Sequence, residues 1–282
     1  MVVHSKSLKR KRSCARSAET LRYALAVEYD GGGFCGWQRQ PHCHSVQAEL
    51  EQALSHIAQT PITVHCAGRT DTGVHARAQI VHFETSETRP LTAWTFGVNS
   101  HMDKRVAVHW ASPVSDDFHA RFSALNRSYR YTLLNRATRP GIRAGMIGWE
   151  RVQLDTERMH LAAQALIGEH DFSSFRSSEC QANHAIREVQ AISVSRDGDE
   201  VHIDIRANGF LHNMVRIVTG CLLSVGRHEQ SASWIAELLA VQDRTQAGAT
   251  AAPFGLYFVQ PQYPAKFGIP DFTDHTAPPW HP

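Results

Sequence analysis

The 282-residue sequence lacks several features that would each point to a different class of protein. Its six cysteines include no CxxC pair, and their spacing matches no familiar zinc pattern. No apolar leader precedes the first strand-like run, and no apolar stretch is long enough to span a membrane. No internal repeat is evident. We therefore expect a cytoplasmic protein with reduced thiols, no metal centre and no contact with a membrane.

Acidic residues are absent from the first 16 positions, where six of the 29 Lys and Arg residues lie. Because one of the 27 acidic residues also precedes position 21, the rest of the chain has 23 basic and 26 acidic residues, a net charge of −3. A uniformly basic surface is thereby excluded, so any affinity for nucleic acid requires a local patch or the arm. We expect residues 1–20 to form a basic disordered arm, either a solvated tail or an RNA contact.

Two cycles of predicted strands and helices follow the arm. In the first cycle, periodicity predicts strands at 21–30, 62–66, 80–84 and 106–110, with helices at 45–60 and 91–98. The second cycle has predicted strands at 187–195, 200–207 and 256–260, with helices at 156–167, 210–226 and 233–239. The first order, β-α-β-β-α-β, is that of a ferredoxin-like unit. We therefore expect an α+β fold with two ferredoxin-like halves, 21–115 and 116–264, and an irregular tail at 265–282.

A short polar loop is the most informative stretch of the chain. It runs from Ala67 to Ala76 after the alternating run Ile62–Cys66, and it places Arg69 and Asp71 two residues apart. The same Thr-Asp-Thr-Gly sequence is typical of an ordinary turn, in which Asp accepts hydrogen bonds from the nearby backbone. These residues alone leave both a plain turn and a functional site open.

Other candidate functional side chains lie on a loop, a strand and a helix. After the glycine-rich stretch Gly31–Gly33, Trp37 is suited either to stacking on a nucleotide or to anchoring the loop in the core. Strand alternation places Tyr129 on the face opposite its polar neighbours. The helix predicted from Phe210 is apolar nearly all round but contains Arg216. That arginine needs an acidic partner or a ligand, unless it snorkels to the helix edge.

Taken together, these stretches resemble the tRNA pseudouridine synthase A family from about Arg22 to Pro264. The blocks that carry the resemblance, in chain order, are Glu28–Gly31, Gly36–Gln40, Gly68–Ala76, Phe118–Ala124, Tyr129–Tyr131, Phe210–Arg216 and Gly255–Tyr257. Thr72 stands where the family loop usually has Ala, a small change that leaves Asp71 in place. The resemblance implies the pseudouridine synthase fold, in which two ferredoxin-like halves with antiparallel sheets flank a central RNA-binding cleft.

The resemblance also implies an isomerase that converts uridine to pseudouridine at positions 38 to 40 of the tRNA anticodon arm. The N-glycosidic bond would break, the uracil would turn and C5 would join C1′, without metal or cofactor. By the resemblance, Asp71 is the catalytic residue, Tyr129 stacks on the uracil and Arg216 pairs with Asp71. Arg69 would help to hold the displaced nucleotide, and Leu256 would line the pocket. A homodimer with tRNA across both subunits is the expected assembly.

Two alternatives come from other functional classes. A tRNA-binding module without catalysis would have the same fold, although Asp71 would repel phosphate in its cleft. A metal-assisted hydrolase would use Cys35 and the cluster His42-Cys43-His44, together with the many other histidines.

Overall fold

The computed structural model describes residues 20–270, and its centre is one mixed sheet. In chain order, the strands are β1 (Leu21–Tyr29), β2 (Val64–Cys66), β3 (His75–Thr85), β4 (Val106–Pro113), β5 (Asn126–Asn135), β6 (Gly148–Glu150), β7 (Gly168–Asp171), β8 (Ile186–Asp197), β9 (Glu200–Ala207) and β10 (Leu256–Gln262). Eight strands lie side by side in the order β4-β1-β3-β10-β5-β9-β8-β7, while β2 pairs with β3 and β6 with β5. The predicted α+β fold is confirmed.

The strands of the two predicted halves join into a single sheet. β10 pairs in parallel with β3, where Tyr257 lies opposite His75, and it pairs antiparallel with β5, where Phe258 lies opposite Tyr129. This last strand therefore connects the N-terminal strands to β5, β9 and β8. The structure thus adds a direct link between the two antiparallel sets, while the proposed boundaries at 115 and 264 stay predictions.

Four α-helices complete the described part of the fold. Their bounds are α1 (Val46–Ala58), α2 (Thr156–Ala163), α3 (Met214–Gly226) and α4 (Trp234–Val241). As predicted, α1 begins after Ser45, whose Oγ accepts a hydrogen bond from the Ala48 N–H at 3.4 Å. A short helical segment around Ala93–Gly97 matches the helix predicted near Leu91. Taken together, these helices lie where the apolar periodicity placed them.

Some predicted boundaries are wrong. β3 begins at His75, five residues before the predicted strand at 80–84. The predicted start of α3 was Phe210, but Asn213 has a left-handed backbone conformation, φ 60°, and the helix begins only at Met214. Periodicity in the apolar residues before Asn213 therefore belongs to an irregular segment. β6 and β7, with three and four residues, were not predicted.

The side chains of Cys35 and Cys43 meet each other, with Cα atoms 6.0 Å apart, whereas Cys66, Cys180 and Cys221 are free. The expectation of reduced thiols stays a prediction. Of the remaining sequence-based expectations, the basic arm before Thr20 and the tail after Pro270 lie outside the described residues. Within residues 20–270, no helix has the length and apolar character needed to cross a membrane.

Candidate active site

An open cleft of about 1130 Å³ brings together all five site residues predicted from the sequence. The cleft is bounded by the loop between β2 and β3, by β5, by the segment that leads into α3, and by the start of β10. The residues that meet there are Arg69, Asp71, Tyr129, Arg216 and Leu256. These residues are up to 187 positions apart in the chain, and all five line the same open cleft.

The loop that carries Asp71 is held on both sides by buried groups. The Thr70 hydroxyl shares a 2.8 Å hydrogen bond with the Tyr29 hydroxyl, and the Thr70 carbonyl accepts the Trp37 N–H at 3.0 Å. The turn itself is closed by the Val74 N–H, which donates to the Asp71 carbonyl at 3.1 Å. Trp37 is only 1% exposed, so it anchors its loop in the core, and stacking on a nucleotide is not its role. Asp71 is therefore both a turn residue and a cleft residue.

Gly36 allows the Trp37 loop to approach the Asp71 loop closely. Its φ is +81°, and a Cβ atom at this position would lie 2.7 Å from the Thr70 carbonyl oxygen and 3.0 Å from the Asp71 carbonyl carbon. Both contacts are with backbone atoms, which cannot rotate away as a flexible side chain would. A residue with a side chain at position 36 would have to push the Asp71 loop aside.

We expect Gly36→Ala to lower the urea midpoint of unfolding and to reduce activity as well. The matched control is Gly198→Ala, because Gly198 also has a positive φ, +54°, but its Cβ would meet nothing within 4 Å. An alanine held in the left-handed region costs about 1–2 kcal/mol of stability. The control should therefore lose that much free energy of unfolding, and the Gly36 variant should lose more. Equal losses in the two variants would contradict a role for the close approach.

The Asp71 carboxylate lies between two basic side chains. His212 Nε2 is 3.4 Å from Asp71 Oδ1, and Arg216 Nη1 is 3.9 Å from Asp71 Oδ2. The carboxylate is about one-third exposed, so the face that it presents to the cleft remains open to a substrate. The site therefore contains an accessible carboxylate between an imidazole and a guanidinium.

Arg216 is held by protein groups and does not snorkel to the helix edge. Its Nε donates to the Ala251 carbonyl at 2.8 Å, and its Nη1 donates to Asn213 Oδ1 at 2.7 Å. Burial lowers the pKa of Arg216 and the Asp71 carboxylate raises it, but a guanidinium stays charged at any physiological pH. The long contact with Asp71 thus comes from a cation that two hydrogen bonds hold in place.

Tyr129 contributes a neutral ring to the wall of the cleft. It is 9% exposed, and the rings of Phe210 and Phe258 meet it nearly edge-on at centroid distances of 4.9 and 5.1 Å. Burial raises the pKa of the Tyr129 hydroxyl far above its usual value, and the nearby Asp71 charge raises it further. The hydroxyl therefore stays protonated, and the ring is suited to stacking. Leu256, 4% exposed, adds an apolar side chain to the lining of the same cleft.

His212 is the residue nearest to the Asp71 carboxylate that sequence reasoning left without a role. It lies in the block Phe210–Arg216, and its position depends on the left-handed Asn213 that follows it. Its backbone carbonyl accepts the Ser177 N–H at 3.1 Å, which fixes the segment before α3. The only signal in the sequence was a polar pair, His212 and Asn213, inside an apolar run.

The cleft is basic although the body of the chain is slightly acidic. Among the described residues that line it are five arginines, Arg69, Arg121, Arg127, Arg187 and Arg216, but only two carboxylates, Asp71 and Glu179. Such a concentration of positive charge in a concave surface attracts polyanions. A single chain therefore contains the local basic patch that a slightly acidic protein needs in order to bind nucleic acid.

The Cys and His residues considered as metal ligands lie on the segment between β1 and α1, where Cys35 and Cys43 are next to each other. Across the described range 20–270, no three His, Cys, Asp or Glu side chains are grouped so that they could hold a metal ion.

Comparison with known proteins gives consistent results over most of the chain. A family model described as tRNA pseudouridine synthase matches residues 25–123 and 162–264. The tRNA pseudouridine synthase A of Hydrogenovibrio crunogenus is 55% identical over 247 residues, 88% of this chain and 94% of that protein. The proteins of the same name from Shewanella amazonensis and Xylella fastidiosa M12 are each 55% identical and cover 89% of this chain and 96% and 98% of their own lengths.

Among solved structures, a chain of a Cbf5-Nop10-Gar1 complex is similar over 84% of this chain and 48% of its own length, with 11% identity and a TM-score of 0.34. A likeness of that size has no bearing on function.

Proposed function

The chain belongs to the tRNA pseudouridine synthase family, and from this premise we propose that it converts uridine to pseudouridine at positions 38 to 40 of the tRNA anticodon arm, with Asp71 as the catalytic residue. The observation that best supports this assignment is the position of the Asp71 carboxylate, which opens into a basic cleft beside Arg216 and a neutral aromatic ring. A carboxylate in a cleft that is otherwise basic has little use in RNA binding, because it repels phosphate. Its presence therefore favours catalysis over binding alone.

The target nucleotide has to leave its stack to reach Asp71. Extruding a base costs a few kcal/mol, and stacking on an aromatic ring returns about 1–3 kcal/mol. Tyr129 supplies that ring, and Leu256 supplies an apolar side chain in the same cleft. Arg69 is exposed at the cleft, where its long side chain can reach the displaced nucleotide and its phosphate. These residues would hold the uracil while its bond to the ribose is exchanged.

The reaction exchanges one bond for another within the same nucleotide. The bond between N1 and C1′ breaks, and a bond between C5 and C1′ forms. C5 then loses its proton and N1 gains one, so that atoms and electrons balance without a redox partner. Asp71 can act by attack on C1′, by attack on C6 or by removal of a ribose proton, and each role needs the ionised carboxylate. The Arg216 guanidinium, with Nη1 3.9 Å from Asp71 Oδ2, places a positive charge beside that carboxylate.

We further propose a cytoplasmic homodimer with tRNA lying across both subunits. The basic cleft of one chain supports contact with the anticodon arm, but a tRNA is much larger than one cleft of about 1130 Å³. A second subunit would extend the positive surface beyond it. Sedimentation velocity with and without tRNA would measure the assembly, and a monomer that binds and modifies tRNA would contradict it.

Mapping of pseudouridine in tRNA tests the proposed reaction directly. We expect an unmodified tRNA transcript with uridines at positions 38 to 40 to acquire pseudouridine there when it is incubated with the protein. Carbodiimide labelling followed by primer extension identifies the modified positions. A transcript with cytidine at those positions is the control. Binding without modification would favour the noncatalytic alternative, and activity lost in EDTA and restored by zinc would favour the metal-assisted one.

A further inference from the structure

Phe122 is a large apolar side chain that the fold leaves exposed inside the cleft. It is 76% exposed, and it lines the same space as Asp71 and Tyr129. A single exposed phenylalanine is common on protein surfaces and carries no inference alone. Here, however, the ring is part of the wall that faces the proposed substrate, and neighbouring residues hold it in place.

The Phe122 ring is the outer end of a row of aromatic rings. His119 lies against it at a centroid distance of 4.3 Å, and the buried His82 lies against His119 at 4.6 Å. Burial, together with the neighbouring His119 and His65, lowers the pKa of His82 to about 3. The pKa of His119 is also lowered, first by burial and then by His65. We call Phe122, His119 and His82 the ring stack, which is uncharged at neutral pH.

His119 also fixes the backbone that carries Phe122. Its Nδ1 accepts hydrogen bonds from the N–H groups of Arg121 and Phe122, at 3.1 and 3.3 Å. The Ser123 N–H donates to the His119 carbonyl at 2.9 Å and closes the turn. Because two donors point at Nδ1, the ring presents a lone pair there, in agreement with its neutral state. Phe122 is therefore held both by packing of its ring against His119 and by the hydrogen bond from its own N–H to His119 Nδ1.

Arg127 connects this turn to the loop that carries Asp71. Its guanidinium donates to the Ala67 carbonyl at 3.2 and 3.3 Å and also to the carbonyls of Arg121 and Ala124. Ala67 is four residues before Asp71 on the same loop. The ring stack and the proposed catalytic carboxylate are therefore parts of one hydrogen-bonded framework.

A cation lies next to the exposed ring. The Arg121 guanidinium carbon is 5.7 Å from the centroid of Phe122, and Arg121 is itself exposed in the cleft. An aromatic face beside a basic side chain matches the two parts of a nucleotide, a flat base and a phosphate. An apolar peptide would match the ring but would leave the surrounding arginines without counterions.

We propose that Phe122 is a stacking platform for a second base of the tRNA substrate, a nucleotide outside the Asp71 pocket, and that Arg121 contacts the phosphate beside that base. This inference rests on the proposed function, because it assumes that tRNA occupies the cleft. It assigns a binding role to the block Phe118–Ala124, to which the reaction itself gives none.

Affinity for a fluorescently labelled tRNA transcript, measured by anisotropy, tests the platform. We expect Phe122→Ala to raise the Kd about tenfold, within the roughly 5- to 150-fold range of one lost base stack. Phe122→Trp should bind like the wild type, whereas Phe122→Leu should bind as weakly as the alanine variant because it has no ring face. The matched control is Phe96→Ala: Phe96 is 75% exposed on the helical turn Ala93–Gly97 and is outside the set of described residues that line the cleft.

The salt dependence of binding separates stacking from charge. Phe122→Ala should leave the slope of log Kd against log salt concentration unchanged, whereas Arg121→Gln should reduce it by about 1. Wild-type affinity in Phe122→Ala or Phe122→Leu, or an equal loss in Phe96→Ala, would overturn the platform. Anisotropy does not depend on turnover. A wild-type protein that makes no pseudouridine would refute the proposed function, whereas normal binding by the Phe122 variants of an active enzyme would refute the platform alone.

Discussion

Replacement of Asp71 by asparagine is expected to abolish pseudouridine formation while leaving tRNA binding intact. The amide keeps the shape of the side chain, and its oxygen can still face Arg216 Nη1, which is 3.9 Å from Asp71 Oδ2 in the wild type. What is lost is the negative charge, which all three candidate roles of Asp71 require. Because that charge repels phosphate, its removal should not weaken binding.

The size of the loss distinguishes between those roles. General base catalysis contributes about 10²–10⁴-fold to a rate, whereas removal of a covalent nucleophile costs on the order of 10⁶-fold. Residual single-turnover activity of Asp71→Asn on a tRNA transcript, measured over hours, therefore favours proton removal if it is detectable and nucleophilic attack if it is not.

A second Asp→Asn substitution, outside the cleft, controls for the general effect of losing one negative charge. Asp199 is a carboxylate in an exposed ion pair, 3.7 Å from Arg136, and it is outside the described residues that line the cleft. Asp199→Asn should retain wild-type turnover because an exposed pair of this kind contributes little. Turnover at the wild-type rate in Asp71→Asn would refute the assignment of Asp71. A noncatalytic module would show no turnover in either variant or in the wild type.

Local periodicity was sufficient to predict the elements that bury one face along their length. β9 alternates from Glu200 to Ala207 and has the predicted bounds, since each inward residue packs in the core and each outward one is in contact with solvent. α1 was predictable from Ser45 as N-cap together with the buried Leu50 and Leu54. In these elements, the burial of one face produces both the periodic pattern in the sequence and the packing in the structure.

Contacts between distant segments could not be predicted in this way. The pairing of β10 with β3 involves Tyr257 and His75, which are 182 positions apart, and nothing in either segment specifies the other. The left-handed Asn213 is also invisible to periodicity, although it moves the start of α3 and positions His212 beside Asp71. The residues of the site were found through the ordered blocks of the resemblance, whereas their geometry required the fold.

Tyr129→Leu is expected to reduce turnover far more than Tyr129→Phe. Phenylalanine keeps the ring face between Phe210 and Phe258, so stacking on the uracil is preserved. Leucine removes that face, and the loss of one base stack, about 1–3 kcal/mol, corresponds to roughly 5- to 150-fold in kcat/KM. Steady-state kinetics on a tRNA transcript measure the difference. The control for loss of a buried tyrosine is Tyr23→Leu, because Tyr23 is 6% exposed and packs on Phe83 and Trp94 away from the cleft.

The pH dependence of the same variants tests whether the Tyr129 hydroxyl takes part in the chemistry. Burial raises its pKa above the usual value of about 10, so the folded protein keeps the phenol protonated at every pH below that value. The wild type and Tyr129→Phe should therefore have the same pH profile of kcat between pH 6 and pH 9, within about a factor of two. If an alkaline limb of the profile disappears in Tyr129→Phe, or if phenylalanine and leucine are equally damaging, the hydroxyl transfers a proton and stacking alone does not explain the residue.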